Sequence, residues 1–222
     1  MAQPVVDRKT PLWRRPIVIG AVATVALLVV MVLNTRFVAS GSIAQKADTA
    51  TEYADLNYDK VVVPAIVDGA QPLATLVAQL VADADGTGKK YGHRDAADKP
   101  WSFAAKASGT VAQGEFGEVA LAVDGMPNGI TVGISVPPFG SNTAIRDAGT
   151  DVKFGDFTNQ TEFQNVAIEL NKRAVASVYG KLDPQSLVGK KVTVTGAFTW
   201  TSNTGGDITH VTLIPVALEV QS

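Results

Sequence analysis

Three patterns of apolar and polar positions follow one another along this chain. The first is an apolar run near the start: residues 16–35 carry no charge, and residues 17–33 are apolar apart from one glycine and one threonine. A helix of this length spans about 30 Å, the thickness of the hydrocarbon core of a bilayer. We therefore predict a transmembrane helix over residues 16–35. A cleaved signal peptide is the alternative, because small residues at 38–40 and 42–44 resemble cleavage sites.

The second pattern is helical and follows a short polar segment, which we interpret as a stalk. Asp48 or Thr49 can cap a helix, and Pro64 is expected to kink or end it. From Leu73, apolar residues recur at i, i+3, i+4, i+7 and i+8. This spacing predicts a second helix, which Gly86 follows. We expect the two helices to pack as an α-hairpin.

The third pattern begins near Trp101, where the period shortens to that of β-strands. Between the third and fourth predicted strands lies the clearest helix of the chain, with one apolar face from Phe163 onward and Gly180 as its stop. Asn159 and Glu162 at its start resemble a capping box. The predicted strands are residues 103–111, 117–123, 130–136, 191–200 and 208–220.

The order of three strands, one helix and two strands is that of an OB-fold, a five-stranded Greek-key barrel. An open sheet with one helix packed across it has the same order and is the alternative. The sequence thus predicts an α+β protein. Its expected parts are a cytoplasmic tail (1–15), the transmembrane helix (16–35), the stalk (36–50), the helical hairpin (51–99) and an OB-like β-barrel domain (100–222).

Charge gives the expected orientation of the chain in the membrane. Four basic residues precede the apolar run, and the flank that follows it is less basic, with Arg36 and Lys46. Basic flanks stay in the cytoplasm, so the C-terminal part is expected outside it in a single-pass arrangement. The whole chain has a net charge of −2, and the acidic excess lies after the apolar run. This balance argues against a nucleic-acid partner. The four basic residues before the apolar run are Arg8, Lys9, Arg14 and Arg15.

The inventory of reactive side chains is small. The chain has no cysteine and two histidines, His93 and His210. It contains no nucleophile elbow, no zinc motif and no phosphate-binding loop. We therefore expect neither an enzyme nor a metal or cofactor site. A glycoside hydrolase with two carboxylates is the minor alternative, although no motif brings an acid pair together.

The candidate polar site surrounds an Arg-Asp doublet in the connection after the third strand. That connection and the start of the following helix can converge at one end of a barrel. Other interpretations of these residues are structural: Arg146 could pair with a distant acid, Asp147 could bond its own turn, Asn159 could only cap the helix, and Trp101 could belong to the core. The predicted ligand-binding residues are Arg94, Trp101, Arg146, Asp147, Asn159 and Gln160.

Several longer segments together resemble one family. They are YGHR (91–94), PWSF (100–103), NTAIRDAG (142–149), FGDFTNQTEF (154–163), AIELN (167–171), LVGKKVTVTGAF and LIPVALEV. This combination is similar to a family of predicted periplasmic lipoproteins, domain of unknown function 2291, from about residue 50 to the end. The resemblance to this family implies genes beside sugar ABC importers and no established catalytic residue. Its lipoproteins attach through a cysteine, which this chain lacks, so its apolar helix is expected to replace the lipid.

These observations lead to one functional expectation with two alternatives. We expect a membrane-anchored extracytoplasmic protein that binds a ligand or assists an ABC-type sugar importer. Its expected partners are the lipid bilayer and either transporter components or a sugar. The alternatives are a structural scaffold that binds a transporter or envelope protein and, less favoured, a cell-envelope hydrolase.

Overall fold

The computed structural model describes residues 24–27, 44–45, 47–115, 117–157, 159–202 and 205–221. Residues 24–27 are helical. Most of the predicted transmembrane helix and much of the predicted stalk lie outside the described residues. Among the residues that are described, no helix combines the length and the apolar character needed to cross a membrane.

The first helix of the folded body, α1 (Ala50–Asn57), begins where the sequence predicts. Thr49 caps it, because its hydroxyl accepts the backbone N–H of Glu52 at 3.2 Å. A π-helical turn, Tyr58–Val62, continues into α2 (Val63–Gly69). Pro64 lies in the first turn of α2, where its missing N–H costs little, so it does not end the helical segment.

Two further helices lie between two short strands. The chain passes through β1 (Gln71–Pro72), α3 (Leu73–Ala82), α4 (Ala84–Tyr91) and β2 (Gly92–His93). The apolar spacing predicts α3 correctly. Gly86 lies beyond the end of α3 as predicted, but it lies within a further helix, α4, that the sequence does not predict. Asp83 caps α4 by accepting the backbone N–H of Gly86 at 2.9 Å.

Five strands then close into a barrel. They are β3 (Ser102–Ala112), β4 (Glu118–Val123), β5 (Thr131–Ser135), β6 (Lys191–Thr199) and β7 (His210–Val220). Their order around the barrel is β3-β4-β5-β7-β6 and back to β3, with β5 and β7 parallel and the other neighbours antiparallel. Between β5 and β6 lie a short helix, α5 (Ala144–Gly149), and the long α6 (Gln160–Tyr179). The predicted five-stranded OB-like barrel is confirmed, and the open sheet is wrong.

The first barrel strand also pairs with the helical region. Its beginning is flanked by β1, which runs parallel to it at Gln71 and Ala105, and by β2, which pairs antiparallel at Gly92 and Phe103. Its end is flanked by β4 instead. Inside the barrel, Phe103 and Phe198 stand opposite each other in register and stack with ring centres 5.5 Å apart. Helices and barrel therefore share one hydrophobic core.

The predicted hairpin of the first two helices is wrong in its packing. Helix α1 packs on α6, α2 packs on α5 and β3, and α3 packs on α4 and β3. Helix α1 is therefore covered by helix α6, whereas α2 and α3 are covered in part by the barrel strand β3. An ion pair supports the first of these contacts: Arg173 on α6 binds Asp55 on α1 at 2.6 Å and Glu169 at 2.8 Å.

The predicted capping box forms only in part. Asn159 accepts the backbone N–H of Glu162 at 2.9 Å, which caps α6 as expected. The Glu162 carboxylate, however, accepts the backbone N–H of Ala50 at 3.1 Å, on the first residue of α1. One carboxylate therefore lies at the positive ends of two helices, where a negative charge is stabilising.

The end of the predicted stalk is bound to the body. The backbone N–H of Gln45 donates to Asn57 Oδ1 at 2.6 Å, and Asn57 Nδ2 donates back to the Gln45 carbonyl at 2.9 Å. Asn57 is fully buried, and Ala47 beside this clamp is buried as well. Residues 44–45 and 47–49 therefore belong to the folded domain, and the interpretation of residues 36–50 as a stalk is wrong at this end.

Candidate functional site

A cleft of about 450 Å³ opens between the segment after α4 and the segment after α5. The pairing of β2 with β3 holds one wall in place. Gly149 holds the other wall, because it packs so closely on the π-helical turn and α2 that a Cβ there would lie 2.8 Å from Val62 and 3.0 Å from Ile66. The cleft is lined by Gly92, His93, Arg94, Asp95, Ala96, Ala97, Trp101, Asp147, Thr150, Asp151, Val152 and Lys153.

The Arg-Asp doublet forms an ion pair at the base of the cleft. Arg146 is 4% exposed, and its Nε and Nη2 lie 2.7 and 2.6 Å from Asp147 Oδ1. Arg146 thus pairs first with its sequence neighbour, and the structural interpretation in which it pairs with a distant acid applies only to its longer contact with Asp95, at 3.9 Å. The long arginine side chain folds back to its sequence neighbour at the end of α5.

The Arg146 guanidinium is held from three further sides. Its Cζ lies 4.0 Å from the ring centre of Phe163, its Nη1 donates to the Phe163 carbonyl at 3.3 Å, and its Nη2 lies 3.9 Å from Asp95 Oδ2. Thr150 also donates to the Arg146 carbonyl at 2.7 Å. These contacts fix the position of the Asp147 carboxylate, whose second oxygen, Oδ2, makes no hydrogen bond within the described part of the chain.

The opposite wall carries a stacked pair. The Arg94 guanidinium lies 3.9 Å from the centre of the Trp101 ring. The indole N–H donates to Asp85 on α4 at 3.4 Å, and Gly88 leaves room for the ring, since a Cβ there would approach the indole to 2.4 Å. Trp101 is therefore a half-buried wall residue that already carries a cation on its ring.

Two of the predicted site residues lie outside the cleft. Asn159 caps α6, and Gln160 is exposed at the first position of that helix. The structure thus brings Arg94, Trp101 and Asp147 to one cleft, with Arg146 directly behind Asp147.

Sequence reasoning missed three charged residues that complete the cleft. Asp95 directly follows Arg94, and Asp151 and Lys153 follow α5. Nothing in the sequence distinguishes Asp151 and Lys153 from other solvent-exposed charges. The signal that could have found Asp95 is its place beside the YGHR segment. His93 also lines the cleft.

Tyr53 on α1 packs near the second wall. It is 3% exposed, and its ring meets that of Phe157 edge to face with centres 6.0 Å apart. Burial raises the pKa of Tyr53 to about 12. Helix α1 therefore supports the wall through a neutral, buried phenol.

A second polar cluster lies on the barrel and includes the other histidine. His210 Nδ1 lies 2.7 Å from the Thr131 hydroxyl, and its Nε2 lies 2.8 Å from Glu118 Oε1 without the alignment of a hydrogen bond. Thr212 donates to Glu118 Oε2 at 3.1 Å. The carboxylate crosses β5 over Gly133, which has no side chain to block it. The cluster links β4, β5 and β7, which fits a structural histidine.

Comparison with known proteins identifies the family. The model of the family described as "Predicted periplasmic lipoprotein (DUF2291)" matches residues 21–219 of this chain. The chain belongs to this family. The match extends the resemblance toward the N-terminus, into the apolar run. As a member of the periplasmic lipoprotein family, the protein has an extracytoplasmic, membrane-associated location, although its 222 residues contain no cysteine to carry a lipid.

One solved structure supports the fold of this DUF2291 member. It is the crystal structure of an OB-fold protein from Thermotoga maritima, with 18% sequence identity and a TM-score of 0.61. The similarity covers 79% of this chain and 100% of that chain. At this identity the likeness establishes the fold alone. No curated protein matches the chain.

Proposed function

We propose that this protein is a membrane-anchored, extracytoplasmic binding protein that assists an ABC-type sugar importer and catalyses no reaction. In this proposal residues 16–35 cross the membrane once, with the N-terminus in the cytoplasm, and a sugar occupies the cleft. Support for the anchor comes from the uncharged run and its basic flank.

The observation that carries the binding proposal is the buried Arg146–Asp147 pair. Burying an arginine costs desolvation energy, and such pairs are weak contributors to stability. Here the pair holds a carboxylate at the cleft, with Oδ1 bonded twice and Oδ2 making no hydrogen bond to the residues that the structure describes. A fixed carboxylate oxygen accepts hydrogen bonds from hydroxyl groups, and its preorganisation reduces the entropic cost of binding.

The charges of the cleft also suit a polar ligand. Asp95, Asp147 and Asp151 face Arg94 and Lys153, with Arg146 behind them. Donors and acceptors therefore both line a space large enough for a small molecule, since ligand pockets of about 300–1,000 Å³ are typical. A sugar has hydroxyl groups that both donate and accept, which matches such a lining.

Calorimetric titration of the full chain, purified in detergent, with pentoses and hexoses tests the proposal. We expect heat of binding for at least one sugar. Asp147→Asn keeps the shape of the side chain but loses its charge, and should weaken binding roughly tenfold. Asp68→Asn, an exposed aspartate on α2 outside the cleft, is the matched control and should bind normally. No heat with any sugar, together with intact transport in an Arg146→Ala strain, would overturn the proposal.

The acid pair in the cleft favours one second candidate, hydrolysis of a glycosidic bond. Asp147 Oδ1 and Asp95 Oδ2 lie 2.6 and 3.9 Å from the same arginine nitrogen, so their separation cannot exceed the sum of these distances. Retaining glycosidases use carboxylates about 5 Å apart. We prefer binding because the Arg146 guanidinium lies between the two carboxylates, which both act as acceptors toward it. Hydrolysis would require one of these acids to donate a proton. Release of nitrophenol from aryl glycosides, abolished in Asp95→Asn, would decide for the hydrolase.

A further inference from the structure

Arg94 is the exception among the arginines of the described residues. Arg146 pairs with Asp147 and lies near Asp95, and Arg173 binds two carboxylates. Arg94 lines the cleft, and within the described ranges no carboxylate lies at ion-pair distance from it. Its guanidinium is therefore a charge in the cleft wall without an acidic partner among the residues that the structure describes.

The stack on Trp101 holds this guanidinium ready for a ligand. Stacking uses the flat face of the group, whereas its five N–H donors lie in the plane of the fork. The indole is itself held by its bond to Asp85 and by its contact with Gly88. Arg94 is thereby restrained in one plane while its N–H donors make no hydrogen bond to the described part of the chain, so little side-chain entropy is lost when a planar anion binds.

The stack also argues against an uncharged sugar as the best ligand. Neutral sugars in binding sites commonly lie against an aromatic ring, but the ring of Trp101 already carries Arg94 at 3.9 Å. A neutral sugar would have to displace the guanidinium and lose the cation–π contact. A ligand that bonds Arg94 where it lies avoids this cost.

The other charged groups of the cleft indicate which further chemical groups the ligand carries. Asp147 offers hydroxyl groups its Oδ2, which no described residue bonds, and Asp95 lies beside it. Three acids and two cations line the cleft, and Arg146 behind Asp147 brings the sum of these charges to zero, so an anion meets no net negative field. On the basis of the proposed function, we infer that the ligand is a sugar acid, whose carboxylate binds Arg94 and whose hydroxyl groups bind Asp147.

The test compares acids with their neutral parents on the full chain in detergent. Glucuronate, galacturonate and gluconate are titrated beside glucose and galactose. We expect at least one acid to bind about tenfold or more tightly than its parent, because a charge-assisted forked hydrogen bond is worth that factor. Arg94→Gln should weaken binding of the acid roughly 10- to 100-fold and leave the neutral sugars unchanged or improved. Arg94→Lys keeps the charge but lacks the forked pair of N–H donors, so its affinity for the acid should lie between those of the parent and Arg94→Gln. Lys181→Gln, an exposed cation outside the cleft, is the control and should have no effect.

The outcomes separate this inference from the proposal on which it rests. If neutral sugars bind as tightly as the acids and Arg94→Gln weakens both equally, the sugar-acid inference is wrong while a sugar-binding protein stands. If neither acids nor neutral sugars bind, both fail. If glucuronate binds but tolerates both Arg94→Gln and Asp147→Asn, it binds outside this cleft, and the inference is again wrong.

Discussion

The carboxylate of Glu162 links the starts of α1 and α6. It binds the backbone N–H of Ala50, which lies 112 residues earlier in the chain, so substitutions of Glu162 test whether this contact stabilises the fold. It accepts the Ala50 N–H at 3.1 Å and lies in the first turn of α6. Glu162→Gln keeps an oxygen acceptor of the same shape but loses the charge. Glu162→Ala loses both the charge and the acceptor.

The expected magnitudes follow from these contacts. A hydrogen bond to a charged acceptor contributes about 1.5–3 kcal/mol, and the half-buried position of Glu162 favours the low end. A negative charge at a helix start contributes about 0.3–1 kcal/mol for each helix. We expect Glu162→Gln to lower the free energy of unfolding by about 1 kcal/mol and Glu162→Ala by about 2 kcal/mol. For a domain of this size these losses correspond to about 2–4 °C and 4–8 °C in Tm.

Urea and thermal unfolding of the full chain measure both losses, and hydrogen exchange at the Ala50 amide reports the local contact. Gln164→Ala, on the exposed side of α6, is the control and should stay within about 0.5 kcal/mol of the parent. If Glu162→Ala unfolds as the control does, or if the Ala50 amide keeps its protection, the shared cap does not stabilise the protein.

Three further predictions concern the barrel, the buried phenols and the N-terminal clamp. Gly133→Ala would place a Cβ 2.2 Å from Glu118 Oε2, so we expect a loss of about 1–3 kcal/mol in urea unfolding, whereas Gly155→Ala meets nothing within 4 Å and should be neutral. Burial raises the pKa of Tyr53 to about 12 and also raises those of Tyr58 and Tyr179, whereas an unfolded tyrosine titrates near about 10. The folded state therefore keeps protons that the unfolded chain loses, and stability should be complete below about pH 10 and fall as the pH rises toward 12. Tyr53→Phe should flatten this fall in alkaline unfolding curves, and an unchanged slope would contradict the assignment. Asn57→Ala removes both bonds to Gln45, and faster hydrogen exchange at the Gln45 amide should follow; unchanged exchange would show that the clamp is not formed.

The elements that follow a strong period could be predicted from the sequence. The five barrel strands and α6 bury alternate or helically spaced apolar residues, so local pattern and tertiary packing agree. Helix α4 could not be predicted in this way. Its glycines at 86 and 88 lower helix propensity, and the helix is held instead by the Asp83 cap and by the contact of Gly88 with Trp101.

The candidate site could be predicted only in outline. The sequence places Arg146 and Asp147 in the connection after the third strand, but it does not show that this connection forms α5 and turns both side chains toward each other. The convergence of Arg94 with Asp147 depends on the pairing of β2 with β3 and on the close approach of Gly149 to α2. Such contacts join distant parts of the chain and leave no periodic signal.

Strands β1 and β2 pair with the first barrel strand, β3, and this pairing limits where the chain can be cut into stable fragments. A fragment that starts at residue 100 would retain every barrel strand, yet the main chain of residues 102–106 would lose its partners on one side. A bare strand edge is an open template for another molecule. Such a fragment should associate with copies of itself. The segment that carries β1 and β2 therefore protects the edge of β3 against aggregation, in addition to forming a wall of the cleft.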